Sequence, residues 1–476
     1  MGQEINRIRF TEEDFNVFSE RLETETRLLR QWLKAGRFAQ APCVAGFELE
    51  SWLIDHNGVP APVNESYLQR LNHPLVTPEL SRFNVELNGT PQQLRADAFH
   101  ALEQELQATW RHCQAIAREL DAALIMIGIL PTISEAELCL GNISPMNRYY
   151  ALNEQVMRQR RGQPLTIRIE GRESLTTTHY DVMLEAATTS FQIHLQVPER
   201  QAGRYFNASL IISAPMVAAC ANSPFLFGRD LWDETRIPLF EQAVDSGSST
   251  LDSGAQRRVT FGSNYVQDSL LECFEDNLAH YPVLLPMTFE TAPERFSHVR
   301  LHNGTIWRWN RPLLGFDEHD IPHVRVEHRV IPSGPSLIDQ IANAALYVGL
   351  VHFLANAPTA PEADLSFSAA HDNFYAAAKY GLGAELNWLD HSRVRAQALL
   401  LGALIPMAEQ GLKMLGVTPT ETERYLGVIH ARVKTAQTGA AWQRSYIDHH
   451  GRDFPAMTAA YLERQRSGAP VHEWDI

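Results

Sequence analysis

Four stretches of the chain alternate apolar and polar residues with the two-residue period of a β-strand, and their polar positions come from a narrow set. Side chains two apart on a strand point the same way. In Cys43–Leu53 this puts Glu48 and Glu50 on one face and Phe47, Leu49 and Leu53 on the other. In Phe83–Asn88 it separates Asn84, Glu86 and Asn88 from Phe83, Val85 and Leu87, with Glu79 just upstream. In Thr188–Val197 the polar face is Ser190, Gln192, His194 and Gln196, and the apolar face is Phe191, Ile193, Leu195 and Val197. In the fourth, His323, Arg325, Glu327 and Arg329 oppose Val324, Val326 and Val330, and Ile306–Pro312 offers a further strand just ahead of it.

An ordinary solvated sheet face mixes Lys, Thr, Glu and Ser. These faces are dominated by Glu, Asn, Gln, His and Arg and hold no lysine. Adjacent carboxylates repel unless a cation lies between them, and no Lys or Arg lies within the first strand to supply one. The first pair taken alone fits a solvated edge strand equally well; its recurrence favours metal ligands. Oxygen donors favour Mg²⁺ or Mn²⁺. If the strands share a sheet, the apolar faces pack on helices and the polar faces line an open cup. Such a cup suits two or more Mg²⁺ ions holding a polyphosphate, with arginines neutralising charge during phosphoryl transfer.

The rest of the chain reads largely as helix. Thr11–Ala35 starts on a capping-box pattern, Thr11 with Asp14, and stops at Gly36. Helices are expected at about 97–120, 147–161 and up to 220, and then at 336–356, 366–381, 393–414 and 420–436. Ala122–Leu130 is expected as a buried strand, and Asp245–Gly262 as a long loop, either a mobile cover or a surface excursion. The Pro- and Ala-rich Ala357–Asp364 is the expected linker. It divides a catalytic α+β region, 1–356, from a mainly helical extension, 357–476, packed on the same domain.

A net charge of −15 argues against a nucleic-acid surface. Five scattered cysteines without a CxxC pair suggest packing rather than a disulfide or zinc framework. The first residues lack the apolar core of a signal peptide, and the apolar run Ala398–Leu404, closed by Pro406, is too short to cross a bilayer. A cytoplasmic location without membrane partners is expected. There is no P-loop, no dinucleotide fingerprint around Gly381–Gly383 and no nucleophile elbow. His298 and His302, four apart, fit an ordinary polar helix face better than a metal pair. Glu318–Asp320 and Asp448–His450 read as solvated loops, and Trp307 and Trp309 as packing residues more than pocket walls.

The order of Gly46-Phe47-Glu48-Leu49-Glu50, Glu79 with Glu86, Gln192-Ile193-His194, Asn222-Ser223-Pro224-Phe225 and Val326-Glu327-His328-Arg329 resembles that of glutamate–cysteine ligases, in particular the carboxylate–amine ligase branch. The resemblance covers about residues 40 to 350 and a helical tail of similar character. It implies a glutamine synthetase-like fold: a twisted antiparallel sheet forming a funnel, backed by helices. It also implies ATP and Mg²⁺, with glutamate's γ-carboxylate phosphorylated and the acyl phosphate attacked by an amine such as cysteine. By position the resemblance makes Glu48, Glu50, Glu79, Glu86, His194 and Glu327 metal ligands, and Arg329 with Glu327 the catalytic pair. It suggests Gln192, Asn222 and Arg311 as nucleotide contacts and Arg148 and Arg236 as substrate-binding residues. Small-molecule substrates and a possible homodimer complete the expectation. No acceptor motif specific for cysteine is found, so the amine stays open. The alternatives are a phosphotransferase on the same cup and a non-catalytic amino-acid or nucleotide sensor.

Overall fold

The computed structural model describes residues 4–40, 43–247 and 257–476. The middle of the stretch expected as a cover, 248–256, lies outside the described residues. The alternating segments meet in one curled, eight-stranded sheet: β1 (Val44–Ile54), β2 (Val76–Pro78), β3 (Asn84–Asn88), β4 (Gln92–Gln93), β5 (Ala123–Ile125), β6 (Ser190–Val197), β7 (Asn310–Phe316) and β8 (Pro322–Pro332). The order is β7-β8-β6-β1-β3-β2, with β4 and β5 also paired to β1, and every pairing is antiparallel. This is the α+β, glutamine synthetase-like architecture that the resemblance implies.

The alternation decides which face is covered. Phe47, Leu49, Val85, Leu87, Phe191, Ile193, Leu195, Val324 and Val326 are all buried in the main core. Behind them lie α1 (Ala202–Cys220) and α2 (Leu337–Ala355), packed on each other and on the sheet. Both helices are apolar nearly all round, as helices enclosed on every side must be. Two helices, Leu337–Ala355 and Ala396–Leu415, reach the length and apolarity of a membrane span; the first is 78% buried inside the protein and the second 39%.

Several segments differ from the sequence expectation for identifiable reasons. The strand expected at 306–312 is split. Trp307–Arg308 pairs with Val259–Thr260 outside the main sheet, and β7 starts at Asn310. Pro312 is tolerated there because β7 is an edge strand. Of the run 122–130 only Ala123–Ile125 pairs as strand. Beyond it, side chains replace the ladder: Gln465 Oε1 accepts from Met126 N, and Trp52 Nε1 and Thr189 Oγ1 donate to Ile127 O. A hairpin, Leu165–Glu170 with Ser174–His179, was not anticipated. The helix expected from 393 starts at Ala396, because Arg393–Arg395 pairs with Glu385–Asn387. It then runs through Pro406 by way of a π-helical turn at Leu400–Leu404, so the apolar run is not closed there. Asp448–His450 ends a helix, Gly439–His450, instead of forming a loop. Four of the cysteines are buried, but Cys139 is exposed.

The C-terminal helices are tied to this framework by buried polar contacts. Arg432 sits among α1 and α2, donating to Asp339 Oδ1 at 2.7 Å and Asn343 Oδ1 at 2.6 Å. Glu421 accepts from the amides of Phe99 and His100, satisfying orphan donors at the start of helix Ala98–Arg118. Removing one partner of a fully buried ion pair leaves the other charge uncompensated. Asp339→Ala is therefore expected to lower the unfolding free energy by about 3–5 kcal/mol, read as a fall in the urea midpoint. Replacement of an exposed partner, such as Asp320 of the Arg295 pair, should leave that midpoint nearly unchanged.

Candidate active site

Register converts the four polar faces into two compact groups. Glu327 pairs across the sheet with His194, and His194 with Gly46. Glu48 comes next along β1, opposite Gln192 and Asn88. Glu50 faces Glu86, which faces Thr77 on β2. The outcome is one trio of Glu48, His194 and Glu327 and a second of Glu50, Glu79 and Glu86. Within each trio the potential ligand atoms all lie within 4.8 Å of one another. All six residues expected as ligands are thus gathered, three and three. Glu79, which no alternation required, reaches the second trio from the turn after β2.

The donor chemistry of both trios fits a divalent cation. His194 Nε2 lies 3.2 Å from Glu48 and 3.6 Å from Glu327, yet among the described residues this buried nitrogen makes no hydrogen bond, and neither does Glu48 Oε2. In the second trio Glu86 Oε2 is likewise buried without a partner. Buried polar atoms are normally satisfied, and leaving one bare costs free energy. Carboxylate lone pairs and a ring nitrogen converging on one point are what a metal ion completes.

Electrostatics sets the two trios apart. Burial pushes the Glu327 carboxyl up, but Arg311 outweighs it, helped by Arg329 and His194, and the group is held well below the usual carboxylate range. Arg311 grips it bidentately, both contacts at 2.8 Å. Glu48 also lies low, despite burial, because His194 stands beside it. In the second trio nothing compensates to the same degree. Burial, then the partial offset by Arg329 and the repulsion of Glu86, leave Glu50 raised to about 7. Glu79 is raised well above its ordinary value by burial and by Glu86, Glu50 and Glu185, and Glu86 is raised by burial and Glu48.

Both trios border a cleft of about 690 Å³. Gln192, Arg311, Arg329 and Arg148 are on its wall. Gln192 links the arginine to the second trio: its Oε1 accepts from Arg329 at 2.5 Å and its Nε2 donates to Glu50 at 2.8 Å. Arg148 donates to Pro78 O and to Tyr149 Oη beside Glu79. Arg236 and Asn222 are not on the wall. Arg236 is buried, paired with Glu234, and donates to the carbonyls of Arg329 and Val330 at 3.2 and 2.6 Å. Those carbonyls belong to the irregularity in β8 between His328 and Ile331, where the ladder leaves carbonyls unpaired. Arg236 therefore shapes the backbone that carries Arg329. Asn222 shares Glu234 and binds Ser333 O and Tyr461 Oη in the interior.

The other motifs are placed as follows. His298 faces Glu25, whose carboxylate also accepts the amides of His298 and Val299, and His302 bonds to Asn277 O. Neither imidazole reaches a metal trio. Trp309 is buried with Nε1 on Glu241, whereas Trp307 lines the cleft. Three charged wall residues were not among the expected site residues: Glu185, Arg300 and Arg325. Arg325 shares the polar face of β8 and so carried a signal. Glu185 and Arg300 lie on a short turn and a helix, where no period of two can point to a sheet face.

A curled antiparallel sheet with its charged face open to a cleft and helices behind is the architecture of glutamine synthetase-like ligases. The model of glutamate-cysteine ligase family 2 (GCS2) matches residues 44–465, and the chain belongs to that family. It is an ATP-dependent ligase. Among solved structures, the glutamate–cysteine ligase of Francisella tularensis, in complex with AMP, is similar at a TM-score of 0.51 and 13% identity over 90% of both chains. A bifunctional glutathione synthetase from Pasteurella multocida is similar at 0.49 and 11% identity, over 93% of this chain and 55% of that one. No curated protein sequence matches.

The second trio makes a pH prediction. Its carboxyls have raised values in the folded chain and ordinary ones near 4.5 in the unfolded chain. Their contribution to stability is present below about 4.5 and is lost as pH rises through about 7. Relative to Glu79→Gln, the metal-free protein should therefore lose thermal stability between pH 5 and 8. Mg²⁺ or Mn²⁺ should restore it with release of protons, seen calorimetrically in buffers of different ionisation enthalpy.

Proposed function

We propose that the enzyme joins an amine to the γ-carboxylate of glutamate at the expense of ATP. The observation that carries this reading is the pair of three-ligand trios lining one cleft together with Arg329 and Gln192, in a chain of this family. A carboxylate oxygen of glutamate attacks the terminal phosphorus of ATP and ADP leaves. The amine nitrogen then attacks the acyl carbon, inorganic phosphate departs, and the nitrogen loses a proton.

The residues divide this work. Glu48, His194 and Glu327 would hold one Mg²⁺ and Glu50, Glu79 and Glu86 another, and the ions supply neutralisation of phosphate charge. Arg311 keeps Glu327 ionised and in place. Arg329 presents its guanidinium to the transferring group, where positive charge acts on the transition state. Gln192 fixes Arg329 relative to Glu50, so that the clamp does not reorganise during reaction. Arg148 is the basic residue we assign to the substrate's own charge. We place residues 357–476 in the same domain as an extension, in the cytoplasmic setting that such small-molecule substrates imply.

The test is Mg²⁺-dependent ADP release with glutamate, with and without a panel of amines led by cysteine. ADP formed only with an amine supports the ligase and names its acceptor. Equal ADP without any amine would replace it by a phosphotransferase. Silence with ATP still bound would favour another carboxylate donor or the sensor reading. Glu48→Gln should reduce turnover by about a hundredfold or more, with unchanged far-UV circular dichroism.

A further inference from the structure

The cleft wall carries four carboxylates: Glu48, Glu50, Glu79 and Glu185. The first three belong to the metal trios, and Glu185 belongs to neither. It sits in the 3₁₀ turn Met183–Ala187 immediately before β6. Its neighbours Met183, Leu184, Ala186 and Ala187 are all buried, so Glu185 is the one residue of the turn that faces the cleft. The turn is pinned at both ends: Asn153 Oδ1 accepts from Val182 N, and Glu185 O accepts from both Thr188 N and Thr188 Oγ1. The backbone that carries the carboxylate is therefore held in place at the cleft wall.

Among the described residues the Glu185 side chain has no hydrogen bond and no ion pair. The nearest cationic influence is Arg329, which already serves Glu327 and Gln192. A carboxylate held in a mostly apolar turn without a partner is unfavourable unless something cationic meets it. Burial and Glu50 together raise its carboxyl to about 8, and a cation beside it would offset both effects. It shares one cleft wall with Glu50 and Arg329 and feels the charge of both.

We propose that Glu185 recognises the incoming amine as its ammonium form, through a charge-assisted hydrogen bond that holds the nitrogen in place. The ammonium gives one proton to water before its freed lone pair attacks the acyl carbon, and the second proton leaves after attack. The proposal rests on the ligase reading above. It also narrows the acceptor class: amines cationic at neutral pH gain the contact, and weakly basic amines that are neutral there do not.

The discriminating experiment compares cysteine and methylamine, both cationic, with hydroxylamine, neutral at pH 7, as acceptors for wild type, Glu185→Gln and Glu185→Asp. A charge-assisted hydrogen bond corresponds to about tenfold or more. We expect Glu185→Gln to lower kcat/KM for the cationic amines by at least that factor, chiefly through KM. Hydroxylamine should change by less than about threefold, and Glu185→Asp should recover part of the loss. Equal losses for cationic and neutral acceptors would overturn the proposal. So would a matching loss of Mn²⁺ affinity measured directly, because it would make Glu185 a metal ligand. A wild-type enzyme that forms no product with any of the three amines would overturn the ligase reading together with this one.

Discussion

Everything in the cleft follows from the problem of holding like charges together in a buried place. Glu327 is where that problem is solved most completely. It is fully buried on β8, with a bidentate arginine on one neighbouring strand and an imidazole on the other. Two guanidinium groups keep it ionised, which makes it a dependable anion for the trio it shares with Glu48 and His194. Truncating either Arg311 or Glu327 would strand a buried charge, so the pair is structural and functional at once.

The second trio shows the opposite arrangement. Glu50, Glu79 and Glu86 stand close with no arginine committed to them, and burial, then repulsion from neighbouring carboxylates, raises all three carboxyls. A protein core rarely tolerates this without return. The return is a place that welcomes a cation and changes charge state when one arrives. One trio is thus pre-ionised and the other is poised.

Behind the cleft, polar groups without catalytic contact keep the geometry. Arg236 takes up the carbonyls that the irregularity in β8 leaves free and so supports the backbone of Arg329, which donates to Gln192. Asn222, Glu234, Tyr461 and Gln443 extend the network to the C-terminal helices. Those helices therefore bear on the site although none of their residues lines it.

How much of this was legible in the sequence depends on the physics of each part. The period-two alternation of β1, β3, β6 and β8 exposed both the core face and the ligand face, because a strand's side chains have only two directions to point. It therefore announced Glu48, Glu50, Glu86, His194, Glu327 and Arg329 before any strand pairing was known. Thr11 with Asp14 announced a helix start because that cap is a local hydrogen-bond pattern. Which glutamates share a trio was decided by antiparallel register, which sets Glu327 against His194 and Glu50 against Glu86, across more than a hundred residues in the first case, and by the turn after β2 that brings in Glu79. The resemblance made Arg236 and Asn222 binding residues, yet the tertiary structure turns them inward to carbonyls that no sequence pattern reveals. Glu185 was hidden for the converse reason: a single turn has no period, and only the packing of its four apolar neighbours leaves that one side chain facing the cleft.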